Sequence, residues 1–212
     1  MAKPMLEKIY ALGPNAKGKE IQDFYNVWAE SYEEEVQVQN HYAMPQRAAA
    51  ICEYVEERDC SIIDIGCGTG LSGQALYNQG FHDLHGCDFS TQMLAKARAR
   101  GIYKSLQQID LMTLPIPIAD DAYAISMAIG VFASAHLGET AGAEMLRITK
   151  PGGIMCMTQN DVFAETGILQ AMIARFEAGG LAICHKAEHG EHLPGHNVKG
   201  WVYILQRTQR DG

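Results

Sequence analysis

The run Ser61-Ile62-Ile63-Asp64-Ile65 leads straight into Gly66-Cys67-Gly68-Thr69-Gly70, and Leu71 opens a helical pattern. A strand that turns through closely spaced glycines into a helix brings bare backbone up to a ligand. The next short strand, Leu84-His85-Gly86-Cys87-Asp88, ends on a carboxylate. Asp88 follows the glycines at roughly the 20-residue interval at which an acidic side chain accepts hydrogen bonds from a ribose. Together the two segments place a nucleoside-bearing ligand across the tips of two parallel strands.

The glycine spacing separates ligands. A dinucleotide turn reads G-x-G-x-x-G and faces a pyrophosphate with a helix N-terminus. Here the last gap is one residue shorter, Gly66-x-Gly68-x-Gly70. Glycines alone are weak evidence, since many strand–helix turns carry them for geometry.

Strand and helix patterns alternate from Ser61 onward. Strands are expected at 61–65, 84–88, 103–109, 123–129 and 154–158, with two more at 181–186 and 202–207 joined by a polar loop. Helices are expected at 71–78, 90–100, 139–149 and 162–178, Ser90 supplying an N-cap and Gly101 a stop. Such alternation implies a parallel sheet with both faces covered. Ahead of it, 17–40 and 45–57 read as two helices, with Ile21, Phe24, Tyr25, Trp28 and Tyr32 sharing a face. Residues 1–58 are therefore expected to form a helical lid and 59–212 the core of a single domain. The chain's 212 residues suffice for one such domain.

Lys and Arg number 17 against 25 Asp and Glu, a net charge of −8. That balance argues against nucleic acid as a partner. No apolar run is long enough to span a bilayer, and the N-terminus does not read as a signal peptide. None of the six cysteines forms a C-x-x-C pair. A reduced, cytoplasmic setting without disulfides is the expectation.

The motifs match a known family in type and order. Asp64-Ile65-Gly66-Cys67-Gly68-Thr69-Gly70 resembles the first motif of the class I S-adenosylmethionine (SAM)-dependent methyltransferases. Gly86-Cys87-Asp88-Phe89-Ser90, with Met93, Leu94 and Ala97, is similar to the second. Ile109-Asp110-Leu111 with Leu114-Pro115 resembles the third, and Leu146–Gly153 resembles the stretch leading into strand five. Phe24–Glu33 and Gly200-Trp201-Val202-Tyr203 look most like the methyltransferase-like proteins of the Williams–Beuren region. The resemblance implies a Rossmann-like, doubly wound, seven-stranded and mostly parallel sheet of order 3-2-1-4-5-7-6, the last strand antiparallel. It implies SAM as cofactor.

By that resemblance Gly66, Cys67, Gly68, Thr69 and Gly70 pass close to the methionine part and ribose. Asp88 takes the ribose hydroxyls, Phe89 and Met93 flank the adenine, and Asp110 and Leu111 bond its amino group and ring nitrogen. Ala128 and Ile129 lie beside the transferable methyl, Asp64 orders the loop, Tyr32 touches SAM or closes the acceptor pocket, and Trp28 borders the cofactor or only staples the lid to the sheet. For Phe89 and Met93 core packing at helical spacing is an equal reading. His136 and Tyr32 are the candidates for contact with the methyl acceptor. Imidazole titrates near neutral pH and suits a general base, the other reading of His136 being a loop histidine bonded to backbone. Tyr25, His41 and Tyr42 are further candidates in the lid.

The segment after strand four, Met127-Ala128-Ile129-Gly130-Val131-Phe132, lacks the Asn/Asp-Pro-Pro-Tyr run often found in enzymes that methylate adenine or amide nitrogen. A small-molecule oxygen, nitrogen or carbon acceptor is the better expectation. The alternatives are a SAM-binding protein without catalysis and, less favoured, an NAD(P)-binding oxidoreductase. His185, His189, His192 and His196 crowd the segment before the last strand. Gly190, Pro194 and Gly195 break any helix there, so no metal is expected.

Overall fold

The computed structural model describes Lys8 and residues 18–132 and 138–209. Seven strands form one sheet: β1 (Ile62–Ile65), β2 (Leu84–Asp88), β3 (Ser105–Gln108), β4 (Tyr123–Phe132), β5 (Thr149–Asn160), β6 (Ala182–Leu193) and β7 (Val198–Arg207). Their order is β3-β2-β1-β4-β5-β7-β6, with β7 antiparallel to both neighbours and the pairs from β3 to β5 parallel. This is the topology that the family resemblance implied.

The sheet is apolar on both faces. Ile63, Ile65, Ala128, Phe132, Met155 and Met157 point to one core, closed by α5 (Gly138–Ile148) and α7 (Ile168–Ala178). Ile62, Leu84, Ile125, Met127 and Cys156 point to the other, closed by α2 (Met44–Ala48) and α3 (Leu71–Tyr77). Period-two alternation within strands buried on both sides produces this division. The helix α4 (Thr91–Ala99) starts where expected, with Ser90 Oγ accepting from the Met93 N–H at 3.1 Å.

Four expected elements differ. The helix expected over 45–57 is α2 followed by a 3-10 turn, Ala49–Glu53. The first helix stops early, as α1 (Gly18–Trp28), and resumes as a wide π turn over Glu34–Gln39 that buries Val36. The expected helix at 162–178 is two, α6 (Asp161–Ala164) and α7, because Gly167 adopts a left-handed φ of 68° and Thr166 Oγ1 accepts from the Ile168 N–H. The polar loop expected after Lys186 is largely strand. β6 continues to Leu193 and pairs with β7 almost to the turn. Its charged composition suits a sheet edge, where polar side chains deter pairing with another chain.

The carboxyl ends of β1, β2, β4, β5 and β6 share one edge of the sheet. The N-terminal segment straps across that edge. At one end α1 meets the β2–α4 connection. At the other, Arg47 donates to the carbonyls of Glu188 (2.8 Å), Glu191 (2.8 Å) and Gly200 (3.1 Å) in the β6–β7 hairpin.

Candidate functional site

Gly66, Gly68 and Gly70 all hold left-handed φ values, 65°, 54° and 88°. L-residues resist that region, so the sequence spends glycine at each bend. A Cβ on Gly66 would lie 2.5 Å from Val131 Cγ2, whereas one on Gly68 would meet nothing within 4 Å. The turn is packed from behind at Gly66 and open at Gly68.

Asp88 closes this cradle. Its Oδ2 accepts from the Gly68 N–H at 2.9 Å and its Oδ1 from the Ser90 N–H at 2.8 Å. Burial raises its pKa, against the pull of those backbone donors. Each oxygen retains a lone pair for a further donor. Asp64 lies behind the turn, with Oδ2 accepting from the Tyr103 hydroxyl at 2.7 Å and Oδ1 buried without a partner. Burial pushes its carboxyl up to about 7, the Tyr103 bond only partly offsetting it. Thr69 Oγ1 is also buried and unpartnered. Cys67 packs on Leu94 and Ala97, and burial holds its thiol well above the usual range, so it is a small apolar group.

Phe89 is half-buried and meets Tyr25 edge-on at 5.8 Å, while Met93 is 1% exposed. Core packing therefore accounts for Met93, and Phe89 keeps a free flank. Asp110 is exposed, and its Oδ1 accepts from the Met112 N–H at 2.9 Å, shaping the turn after β3. Leu111 is half-buried beside it, against the core. Ala128 and Ile129 stand at the end of β4 but are 1% and 7% exposed, one in each core. Only their backbone remains for a ligand. His136 lies outside the described residues.

The N-terminal strap is tied to the cradle by polar contacts that sequence reading missed. Gln22 Nε2 and Gln108 Nε2 both donate to the Phe89 carbonyl, at 2.6 and 3.0 Å. Ser90 Oγ donates to Asn26 Oδ1 at 2.6 Å. Glu33 pairs with Arg100 at 2.5 Å, and Arg100 Nε donates to the Thr69 carbonyl at 2.6 Å. Long side chains near helix ends carry no sequence pattern that would predict these reaches.

An aromatic group roofs the edge. Trp28 contacts Phe24, Tyr25 and Tyr32 at centroid distances of 5.6, 5.7 and 4.8 Å. Its Nε1 is buried and unpartnered. Burial, then the nearby Tyr42, Tyr25, Asp88 and Glu33, holds the Tyr32 hydroxyl well above the usual phenol range. Tyr32 is thus fitted to donate a hydrogen bond rather than to act as a base.

Beyond the roof, Tyr42 reaches the end of β4. Gly130 there has φ 75°, its N–H donates to Thr158 Oγ1 at 2.8 Å, and a Cβ on it would collide with the Tyr42 hydroxyl. On its outer side Tyr42 lines an open hollow of about 800 Å³ with His41, Gln46, Arg47, Glu188 and Glu191. Among the described residues no group of three or more His, Cys, Asp or Glu is placed to hold a metal ion. His189 instead bonds Asp161 at 2.9 Å.

Residues 63–157 match the family model described as a methyltransferase domain. The chain is 30% identical over 165 residues to Methyltransferase-like protein 27 of Homo sapiens, covering 74% of this chain and 66% of that protein. The chain belongs to the class I SAM-dependent methyltransferase superfamily. It is also 33% identical over 99 residues to the demethylmenaquinone methyltransferase of Beutenbergia cavernae, covering 46% of this chain and 40% of that one. Shorter matches reach 18S rRNA methyltransferases. The chain thus spans less than two thirds of these relatives. Among solved structures, the [4+2]-cyclase SpnF superposes with a TM-score of 0.70 at 15% identity, over 91% of this chain and 97% of that one. That likeness concerns fold.

SAM is the cofactor this superfamily membership brings. The residues present fit it. Gly68 has open space where a Cβ would stand, Asp88 tops the turn, and Thr69 Oγ1 is buried without a partner. No described helix is long and apolar enough to cross a membrane.

Proposed function

We infer that this protein is a SAM-dependent methyltransferase acting on a small, uncharged molecule. The observation that carries the reading is the pairing of an open glycine cradle under Asp88 with a roof of aromatic rings that reaches the end of β4. Gly66 to Gly70, Asp88, Phe89, Asp110 and Leu111 hold the cofactor, with Met93 and Ala128–Ile129 as the packing behind it. Trp28 and Tyr32 cover it. When bound, SAM supplies an electrophilic methyl group on a sulfonium sulfur.

The chain's own contribution is placement and exclusion of water. Holding two reactants in line is worth effective molarities of about 10⁵–10⁸ M. The strap, fastened at Phe89–Ser90 and again at the β6–β7 hairpin, is the element that excludes water. Residues 1–58 act as lid and 59–212 as core of one domain. His136 remains a candidate for the acceptor side.

Two features favour a small molecule over RNA. The net charge of −8 opposes a phosphate backbone. Glu188 and Glu191 line the hollow that leads to Tyr42. A second reading, SAM binding without methyl transfer, is favoured by the tight aromatic packing of Trp28 against its neighbours, and fold likeness to a cyclase shows that architecture does not fix chemistry.

Calorimetric titration with SAM, S-adenosylhomocysteine and NADH tests the cofactor assignment. Both adenosyl ligands should bind and NADH should not. Binding of NADH alone overturns the reading. Transfer of label from methyl-labelled SAM to members of a phenol and amine panel separates the enzyme from the silent binder.

A further inference from the structure

His192 ends β6 on the same sheet edge as Gly130 and Asp88, far from the nucleoside cradle in sequence and outside every motif. Its side chain is buried, 5% exposed as a residue, and its Nδ1 has no hydrogen-bond partner. Leaving a buried polar atom unpaired is costly, so its presence calls for a use. The ring meets Tyr42 edge-on at a centroid distance of 5.3 Å, and the His192 carbonyl accepts from the Ala43 N–H at 3.0 Å. Strap and β6 thus hold the imidazole and the phenol together. Tyr42 in turn touches Gly130 with its hydroxyl and lines the outer hollow with its ring.

We propose that His192 and Tyr42 form the acceptor-recognising pair of this site, and that the acceptor is a planar, uncharged molecule bearing a protic group such as a phenolic hydroxyl. The inference rests on the methyltransferase reading and deepens it. The ring of Tyr42, which lines the hollow, suits a flat ligand. Arg47 beside it is paired with Glu188 at 3.2 Å, so no uncompensated cation faces a ligand there. A neutral imidazole nitrogen accepts one hydrogen bond from a donor such as O–H. Tyr42 lines the hollow and reaches Gly130 at the end of β4 with its hydroxyl, so one residue touches both. His192 is a recognition group here and not the base, because burial pushes its pKa down to about 4 and a base that weak takes little proton at neutral pH.

The test uses the full chain saturated with S-adenosylhomocysteine and ¹⁵N-labelled at histidine. Catechol and 1,2-dimethoxybenzene are the probes, alike in shape but only the first carrying donors. Catechol should move the His192 Nδ1 resonance and bind at millimolar concentration. His192→Phe should weaken catechol about three- to tenfold, the worth of one hydrogen bond, while S-adenosylhomocysteine affinity stays within about twofold. Tyr42→Phe should weaken catechol less, and neither change should alter dimethoxybenzene binding. Catechol that leaves the His192 signal unmoved, or that binds His192→Phe as tightly as wild type, overturns the pair. Failure of S-adenosylhomocysteine to bind the wild-type protein overturns the parent reading instead, and the two failures are read on separate ligands.

Discussion

The proposed nucleoside end of the sheet edge is made of backbone, and the proposed acceptor end is made of side chains. At β1 and β2 the shape comes from three left-handed glycines and two carboxylates within one βαβ unit. Beyond β4 it comes from Tyr42, Arg47, Gly130 and His192, held together only because a strap crosses the edge. A backbone site is narrow in what it accepts and tolerant of little. A side-chain site can change one partner at a time. This division lets one cradle keep one cofactor while acceptors vary, the usual relation of function to fold.

The sharpest way to break the comparison is at the glycines. Gly66→Val adds a Cβ 2.5 Å from Val131 in a left-handed conformation, and should lower stability by at least about 2 kcal/mol in urea unfolding. Gly68→Ala has open space and bears only the backbone strain, about 1–2 kcal/mol, yet should abolish S-adenosylhomocysteine binding. If Gly68→Ala binds normally, the open side of the cradle does not face the cofactor.

Asp88→Ala comes next. It should weaken SAM by about 10- to 100-fold, since a charged hydrogen-bond acceptor is worth about 1.5–3 kcal/mol. Wild-type affinity in calorimetry would remove the ribose assignment.

The two ends also titrate in opposite senses. Asp64 has a native pKa raised from 3.8 to about 7 by burial, so the native state holds more protons than the unfolded state in that range. Its contribution to stability is full below about pH 4 and is lost as pH rises to 7. His192 is lowered from 6.5 to about 4, by burial and by Arg47 against the pull of Asp161. Its contribution is full above about pH 6.5 and is lost as pH falls to 4. Asp64→Asn should therefore gain stability with rising pH between 4 and 6.5 more steeply than wild type. His192→Phe should shift the slope the other way. Parallel urea-midpoint profiles for all three proteins would refute the opposition.

The smallest effect is expected at Tyr32→Phe. The hydroxyl resists ionisation and at most donates a hydrogen bond, so turnover with an identified acceptor should fall less than about tenfold. A loss of several hundredfold would make Tyr32 a proton-transfer group after all.

The sequence by itself determined the glycine turn and the carboxylate above it. Asp64, Gly66, Gly68, Gly70 and Asp88 are legible because a tight turn needs glycine and a strand tip needs its carboxylate within a short, contiguous unit. Strand alternation likewise carried the core of the sheet, and the motif resemblance carried its order. Only the tertiary structure decided the arrangement beyond β4. The Gln22–Phe89, Glu33–Arg100 and Arg47–hairpin bonds join residues 67 to 153 positions apart, and nothing in local pattern encodes such distances. His192 read as one of several polar residues in a loop. It became a buried imidazole because β6 runs on as a strand and the strap closes over its end, a long-range packing decision that periodicity does not see.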